Sequence, residues 1–304
     1  MRCLRGGIGH GSFIDRAHDA VDAYSASLTK SMPTALSTVR SSHAGASVEG
    51  YALFAGGADG QRTVDIVDSV DAYSASLTRT AAATLSGERV WMGAASLEGR
   101  AFFAGGASSN MNSDNKCANV EVYNSTLTRT AATNLSVARY YPLTATIGSR
   151  VLFAGGTGNT ITKVVDVYST SLTRTAAADL SRPTSGDAST VVGNYAIFTS
   201  DGNTSCDVYN ASLTKTTVTL LSVARVNMSA GTVGDYALFA GGGTNSPYSD
   251  VVDACDTSLT RTTVTTLDYP RRDISSATVG DYLLFAGGMR DYKDFLSVVS
   301  VYTA

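Results

Sequence analysis

The side chains that could do chemistry are few and scattered. Three histidines, His10, His18 and His43, form no HExxH pair, and only His43 lies inside the regular part of the chain. Cys3, Cys117, Cys206 and Cys255 are far apart with no CxxC spacing, so neither a tetrahedral metal site nor a disulfide framework is expected. Gly9-His10-Gly11-Ser12-Phe13 lacks the final glycine and the helix of a nucleophile elbow, and Gly241-Gly242-Gly243 opens no helix to cradle a phosphate. No residue is therefore singled out as catalytic, and no metal or cofactor is expected.

Arginines and acids recur at fixed places instead. Arg40, Arg89, Arg139, Arg225 and Arg271 share one slot, which Thr184 fills in the remaining copy. Asp22, Asp71, Glu121, Asp166, Asp207 and Asp253 share another, and Ser300 stands in the last copy. A residue that recurs once per repeat solves a packing problem common to all repeats, so Arg–acid pairs are expected to support the frame. The three residues after the slot change from copy to copy and include His43, Trp91, Tyr140, Tyr141, Asp187, Asn227, Arg272 and Asp273. Variable, aromatic-bearing loops on a constant scaffold suit ligand binding, and these eight are the expected ligand-binding residues.

The positioning elements follow from the repeat itself. Tyr24, Tyr73, Tyr123, Tyr168, Tyr209, Cys255 and Tyr302 stand 49, 50, 45, 41, 46 and 47 residues apart, a period of propeller blades or helical arrays. Short runs of Val, Thr, Tyr and Ala ending in Gly-Gly exclude helices. Each unit reads as four strands: a small-residue strand (Ala44-Gly45-Ala46-Ser47-Val48), an apolar one (Tyr51 to Ala55), Val70 to Tyr73, and a Thr-rich rim strand beginning at Leu77.

The Gly pairs, the following Tyr and the Arg before each inner strand resemble kelch repeats. That resemblance implies an all-β fold, a six-bladed kelch-like β-propeller of four-stranded antiparallel blades closed by pairing of N- and C-terminal strands. One domain over residues 1–304 is expected, with six repeats of roughly 41–50 residues; residues 1–24 and 289–304 supply partly redundant terminal strands. The third strand of the closing blade is Val21 to Tyr24 or Val299 to Tyr302, and the missing acid at Ser300 favours Asp22's strand. The surplus strands are able to join an oligomer.

With 26 acidic and 23 basic residues, a net charge of −3 and 16% charged residues, the chain lacks a basic nucleic-acid footprint. No apolar run is long enough for membrane insertion and no signal peptide is visible, so a soluble, by default cytoplasmic, protein of bacterial or phage type is expected. The resemblance implies a non-enzymatic module that recognises a protein or glycan through its variable loops. A carbohydrate-active enzyme of the sialic-acid mutarotase type, or a structural or adhesive part of a phage or cell-surface assembly, is the alternative.

Overall fold

The computed structural model describes residues 19–59, 65–108, 115–243, 247–291 and 294–304, and every regular element among them is a β-strand. Cys3, His10, His18, the Gly6-Gly7 pair, the Gly9–Phe13 segment and Asn110-Met111-Asn112 lie outside the described residues.

β1 (Ala23–Tyr24) and β2 (Lys30–Ser31) form a hairpin. The first sheet is β3 (Ala44–Val48), β4 (Tyr51–Ala55), β5 (Val70–Ser74) and β6 (Arg79–Ala81). The second is β7 (Gly93–Leu97), β8 (Arg100–Ala104), β9 (Val120–Tyr123) and β10 (Arg129–Ala132). The third is β11 (Leu143–Ile147), β12 (Arg150–Ala154), β13 (Val165–Tyr168) and β14 (Arg174–Ala176). The fourth is β15 (Ser189–Val192), β16 (Tyr195–Phe198), β17 (Ser205–Asn210) and β18 (Lys215–Thr219). The fifth is β19 (Ser229–Val233), β20 (Tyr236–Ala240), β21 (Val252–Asp256) and β22 (Arg261–Thr263). The sixth begins with β23 (Ser275–Val279) and β24 (Tyr282–Ala286); a hairpin of β25 (Met289–Asp291) and β26 (Asp294–Phe295) follows, and β27 (Val299–Thr303) returns to β24.

Two compact units divide these elements. One comprises Met1–Pro142, Thr157–Thr160 and Tyr168–Thr175; the other comprises Leu143–Gly156, Ile161–Val167 and Ala176–Ala304. Within the first unit, Leu53, Val70 and Ala72 of the first sheet pack on Met92, Ala94 and Phe103 of the second sheet's segment. Within the second, Ile197 and Val208 meet Ala237 and Phe239, and Leu238 and Ala254 meet Leu283 and Phe285. Sheets buried on both faces explain why the second strands are apolar at successive positions. The small inner strands approach closely enough for hydroxyl bridges, Ser47 to Ser96 at 3.0 Å and Thr190 to Thr232 at 2.8 Å.

The arginine slots are internal supports. Arg40 donates to Asp71 at 2.8 Å and to the Phe54 carbonyl at 3.2 Å; Arg89 meets Glu121 at 2.5 Å and Arg225 meets Asp253 at 2.7 Å. The same acids accept from the rim strand, through Arg79, Arg129 and Arg261, and from the backbone N–H of Ser37, Ser86 and Ser222. Each carboxylate is thus buried with its partners, which is the condition under which a buried charge is tolerated. At Asp71, burial raises the carboxyl pKa, but the Ser37 N–H, Arg79, the Ser37 hydroxyl and Arg40 outweigh it and hold the group below its usual range.

Three expectations about the strands need revision. The third strand of the sixth sheet is Val299–Thr303, with Ser300 opposite Phe285 where Asp71 stands opposite Phe54. Asp22's strand pairs with β2 alone, and no pairing joins the N- and C-terminal strands among the described residues. The acid that Ser300 lacks has changed places with a serine: Arg271 donates to the Ser300 hydroxyl at 2.9 Å, and that hydroxyl donates to Asp268 at 2.5 Å. Asp268 precedes its slot arginine by three residues, where Ser37, Ser86 and Ser222 stand in other copies. Finally, the rim strand starts at the Arg or Lys and not at the Leu. Leu77, Leu127, Leu172, Leu213 and Leu259 sit in the turn with φ between 60° and 65°, held by bonds such as Leu77 N–H to the Ser74 carbonyl at 2.9 Å.

Candidate functional site

Two residues past each slot the backbone enters the left-handed region: Ser42 (φ 57°), Trp91 (60°), Tyr141 (53°), Gly186 (71°), Asn227 (56°) and Asp273 (53°). For residues other than glycine this conformation is uncommon and persists only where the surroundings impose it. The surroundings here are neighbouring copies of the same turn. The Trp91 N–H donates to the Ser42 carbonyl at 3.2 Å, Tyr141 N–H to Trp91 at 2.9 Å, and Asp273 N–H to Asn227 at 3.2 Å. Isolated bridges such as Ser41 to Ala58 and Val90 to Ala107 tie the same segments to the strands leaving each Gly pair.

In the first unit this device gathers aromatics. The Trp91 ring lies 5.4 Å from Tyr140 and 5.1 Å from Tyr141, and the two tyrosines are 5.1 Å apart, nearly perpendicular. Trp91 is 7% exposed and packs on Ala58, Ile66, Val90 and Ala107, with both tyrosines half-buried over it. Its indole Nε1 is buried without a hydrogen-bond partner among the described residues. Trp91 is therefore a floor under the tyrosines, not the outward anchor its sequence position suggests.

In the second unit the same positions are polar. The Arg272 Nε lies 3.4 Å from the Asp273 carboxylate and 3.4 Å from the Met289 sulfur, and its guanidinium stacks over the Tyr248 ring at 4.9 Å. Burial pushes the Asp273 carboxyl up to about 6 although Arg272 pulls it down. The Tyr248 hydroxyl is buried without a partner among the described residues, and sequence reasoning missed this residue because it lies in a loop of no fixed length.

The third residue past the slot is a plug beneath the Gly pair, as Met92 and Met228 show by lying within 2.8 Å and 2.6 Å of a Cβ built on Gly106 and Gly242. Two copies make this plug polar. His43 stands against Phe54 at 5.6 Å with Nδ1 buried and without a hydrogen-bond partner among the described residues; burial and Arg40 lower its pKa to about 4, Asp71 opposing, so it is neutral. Asp187 is 8% exposed, and neither of its oxygens makes a well-aligned hydrogen bond among the described residues. Burial and the like charge of Asp201 push it up to about 7; the Thr199 hydroxyl and the N–H groups of Ala188 and Met228 offset this only in part.

Asp187 sits in the one copy that has lost both its slot arginine and its Gly pair. Thr184 fills the slot and donates to Asp201 at 2.9 Å, while Asp207, deprived of a slot arginine, accepts from the N–H and hydroxyl of Ser181, each at 2.6 Å. Arg272 and Asp273 are thus brought together, as are Trp91, Tyr140 and Tyr141, and Asn227 joins Asp273 through its backbone. Asp187 keeps company with Asp201 instead.

A cavity of about 520 Å³ opens at the other end of the first two sheets, beside Ser47, Glu49, Tyr51, Ser96 and Glu98, and none of the eight expected ligand residues lines it. Among the described residues no three His, Cys, Asp or Glu side chains are grouped to hold a metal ion, and no helix is long and apolar enough to cross a membrane.

Antiparallel sheets of this kind, packed face to face within each unit, define a six-bladed β-propeller. The chain superimposes on the solved structure titled "Structure of YjhT" with a TM-score of 0.67, covering 87% of this chain and 95% of that one at 14% identity. Similarity at this level of identity establishes the fold, and because 413 solved chains match, the fold alone selects no activity. No protein-family model matches the sequence, and no curated protein matches it.

Proposed function

We propose that this chain is a non-enzymatic, kelch-like propeller module that recognises a protein or glycan through the loops following the slot residues. The observation that carries the reading is the aromatic group of the first unit: two half-exposed tyrosines on a buried tryptophan, at positions where a strained backbone is held open. Rings fixed from beneath offer flat apolar area at low entropic cost, suited to a sugar face or to an apolar or proline-bearing loop. Arg272, Asp273 and Asn227 of the second unit supply the polar contacts that fix orientation.

A glycan and protein binding screen with the purified chain tests this. Tyr140→Ala should weaken the captured ligand at least tenfold while the melting temperature moves little, because Tyr140 is half-exposed. Undiminished binding by Tyr140→Ala and by Arg272→Ala sinks the reading.

A second reading, sugar chemistry of the mutarotase type, is favoured by the setting of Asp187. It is buried beside Asp201, and neither oxygen makes a well-aligned hydrogen bond among the described residues. Its carboxyl, pushed up to about 7, is suited to exchange a proton near neutral pH. Accelerated anomer exchange of a reducing sugar, lost in Asp187→Asn, would carry that reading over the first.

A further inference from the structure

The turns beside the cavity of the first unit depart from the repeat. In four sheets the two-residue turn between the first and second strands begins with glycine: Gly148, Gly193, Gly234 or Gly280. Such turns close on their neighbours, since a Cβ built on Gly148 would lie 3.7 Å from Ala211 and one on Gly193 2.9 Å from Thr257. The first two sheets instead begin the turn with Glu49 and Glu98 and move glycine to second place, at Gly50 and Gly99. A Cβ on Gly50 would meet nothing within 4 Å. Glu98 also holds a left-handed φ of 44°, a conformation that strains a residue with a Cβ and leaves glycine unstrained. A feature confined to two copies is not demanded by the packing that all six share.

Both acids bear on one space. Glu49 Oε2 lies 3.8 Å from a Cβ built on Gly99, so the carboxylate of the first turn reaches the second turn, next to Glu98. Neither carboxylate makes an ion pair or hydrogen bond among the described residues, and Arg100, just past the second turn, engages neither. The cavity they line, about 520 Å³, has the size of a small-molecule site. Half-buried Tyr51 and buried Leu97 give it an apolar wall, while Ser47 and Ser96 are bonded to each other at 3.0 Å. Two carboxylates side by side attract a cation, and a tyrosine face adds a cation–π contact when that cation is organic. The four oxygens of two carboxylates fall short of the roughly six to eight that a calcium ion takes. We propose that this cavity binds a small aliphatic amine, its ammonium group held by Glu49 and Glu98 and its carbon chain laid along Tyr51 and Leu97. None of the loop residues of the ligand reading lines the cavity, so the two readings stand or fall separately.

Calorimetric titration of the whole chain with cadaverine at low ionic strength tests this. Saturable binding at one site is expected, weakening as salt is added. The neutral diol of the same chain length should bind at least tenfold more weakly. Glu49→Gln combined with Glu98→Gln should lower the cadaverine affinity at least tenfold at an unchanged melting temperature, because both side chains are exposed. If the double variant melts lower, Glu49→Gln decides alone, with an expected loss of at least threefold. Absence of saturable binding overturns the proposal, and so does a diol that binds equally well or a charge-neutral variant that binds cadaverine like the wild type. Calcium chloride that displaces cadaverine at equal concentration also overturns it, in favour of a metal site.

Discussion

In the first unit the left-handed positions after the slot carry Ser42, Trp91 and Tyr141; in the second they carry Gly186, Asn227 and Asp273. The backbone device is shared, yet the first set leads into an aromatic pile and the second into an Arg–Asp pair and a buried acid beside Asp201. The comparison shows that this turn constrains conformation and not chemistry: the hydrogen bond passes from backbone to backbone, as from Trp91 N–H to the Ser42 carbonyl, so any side chain that tolerates the strain is admitted. Diversity in these loops is therefore compatible with a frame held elsewhere by Arg40–Asp71 and its repeats.

The largest effect should separate the two sets by stability. Trp91→Ala empties a packed position between Val90, Ala107 and two tyrosine rings, and should cost about 3–5 kcal/mol in chemical denaturation. Asn227→Ala, at the equivalent backbone position but half-buried, should cost about 1 kcal/mol or less. Equal losses in the two variants would break the distinction between an aromatic and a polar set.

The next effect is in pH, where the two polar plugs have opposite signs. Asp187 has a folded pKa of about 7 against about 4 for a free carboxyl, so the native state keeps a proton that the unfolded chain has lost. Its contribution therefore becomes more unfavourable as pH rises from about 4 to about 7 and stays so above. Asp187→Asn should be more stable than wild type at pH 8 by about 2–4 kcal/mol, the gap closing toward pH 4. His43 has a folded pKa of about 4 against the usual 6.5, so its contribution is favourable above about 6.5 and is lost as pH falls toward 4. His43→Met, which copies the plug of the second and fifth sheets, should flatten the acid side of the stability profile. Urea midpoints measured from pH 4 to 8 check both; an Asp187→Asn curve parallel to wild type would remove the acid from the account.

What the sequence made legible was whatever repeats identically. The Arg–acid pairing is visible because Arg40, Arg89 and Arg225 meet the same partner in each copy, and the four-strand rhythm is visible because Gly-Gly and Tyr punctuate it. Reciprocal exchange was not visible: Ser300 reads as a lost acid until the register shows Asp268 reaching the same arginine from the serine's place. The turn leucines were misread as strand because apolar residues beside Thr favour strands, and only the hydrogen bond from Leu77 N–H to Ser74 reveals a turn. The depth of Trp91 was not legible for a related reason. A loop aromatic reads as exposed, but the ring beneath Tyr140 and Tyr141 is set by a backbone angle that no residue pattern announces.

The smallest effect tests that angle directly. Gly186 occupies without strain the conformation that Ser42 adopts at φ 57°, and Ser42 has a small, buried side chain to lose. Ser42→Gly should relieve about 1–2 kcal/mol of left-handed strain and lose about 0.5–1 kcal/mol to the freedom that glycine gains in the unfolded chain. The net is a stabilisation of about 0.5–1 kcal/mol, readable as a rise in the denaturation midpoint. Ser42→Val should fall on the other side of wild type, since a β-branched side chain is a genuine outlier at positive φ. If glycine and valine move the midpoint alike, the left-handed turn is not what holds Trp91 in register, and the contrast between the two sets must rest on side-chain packing alone.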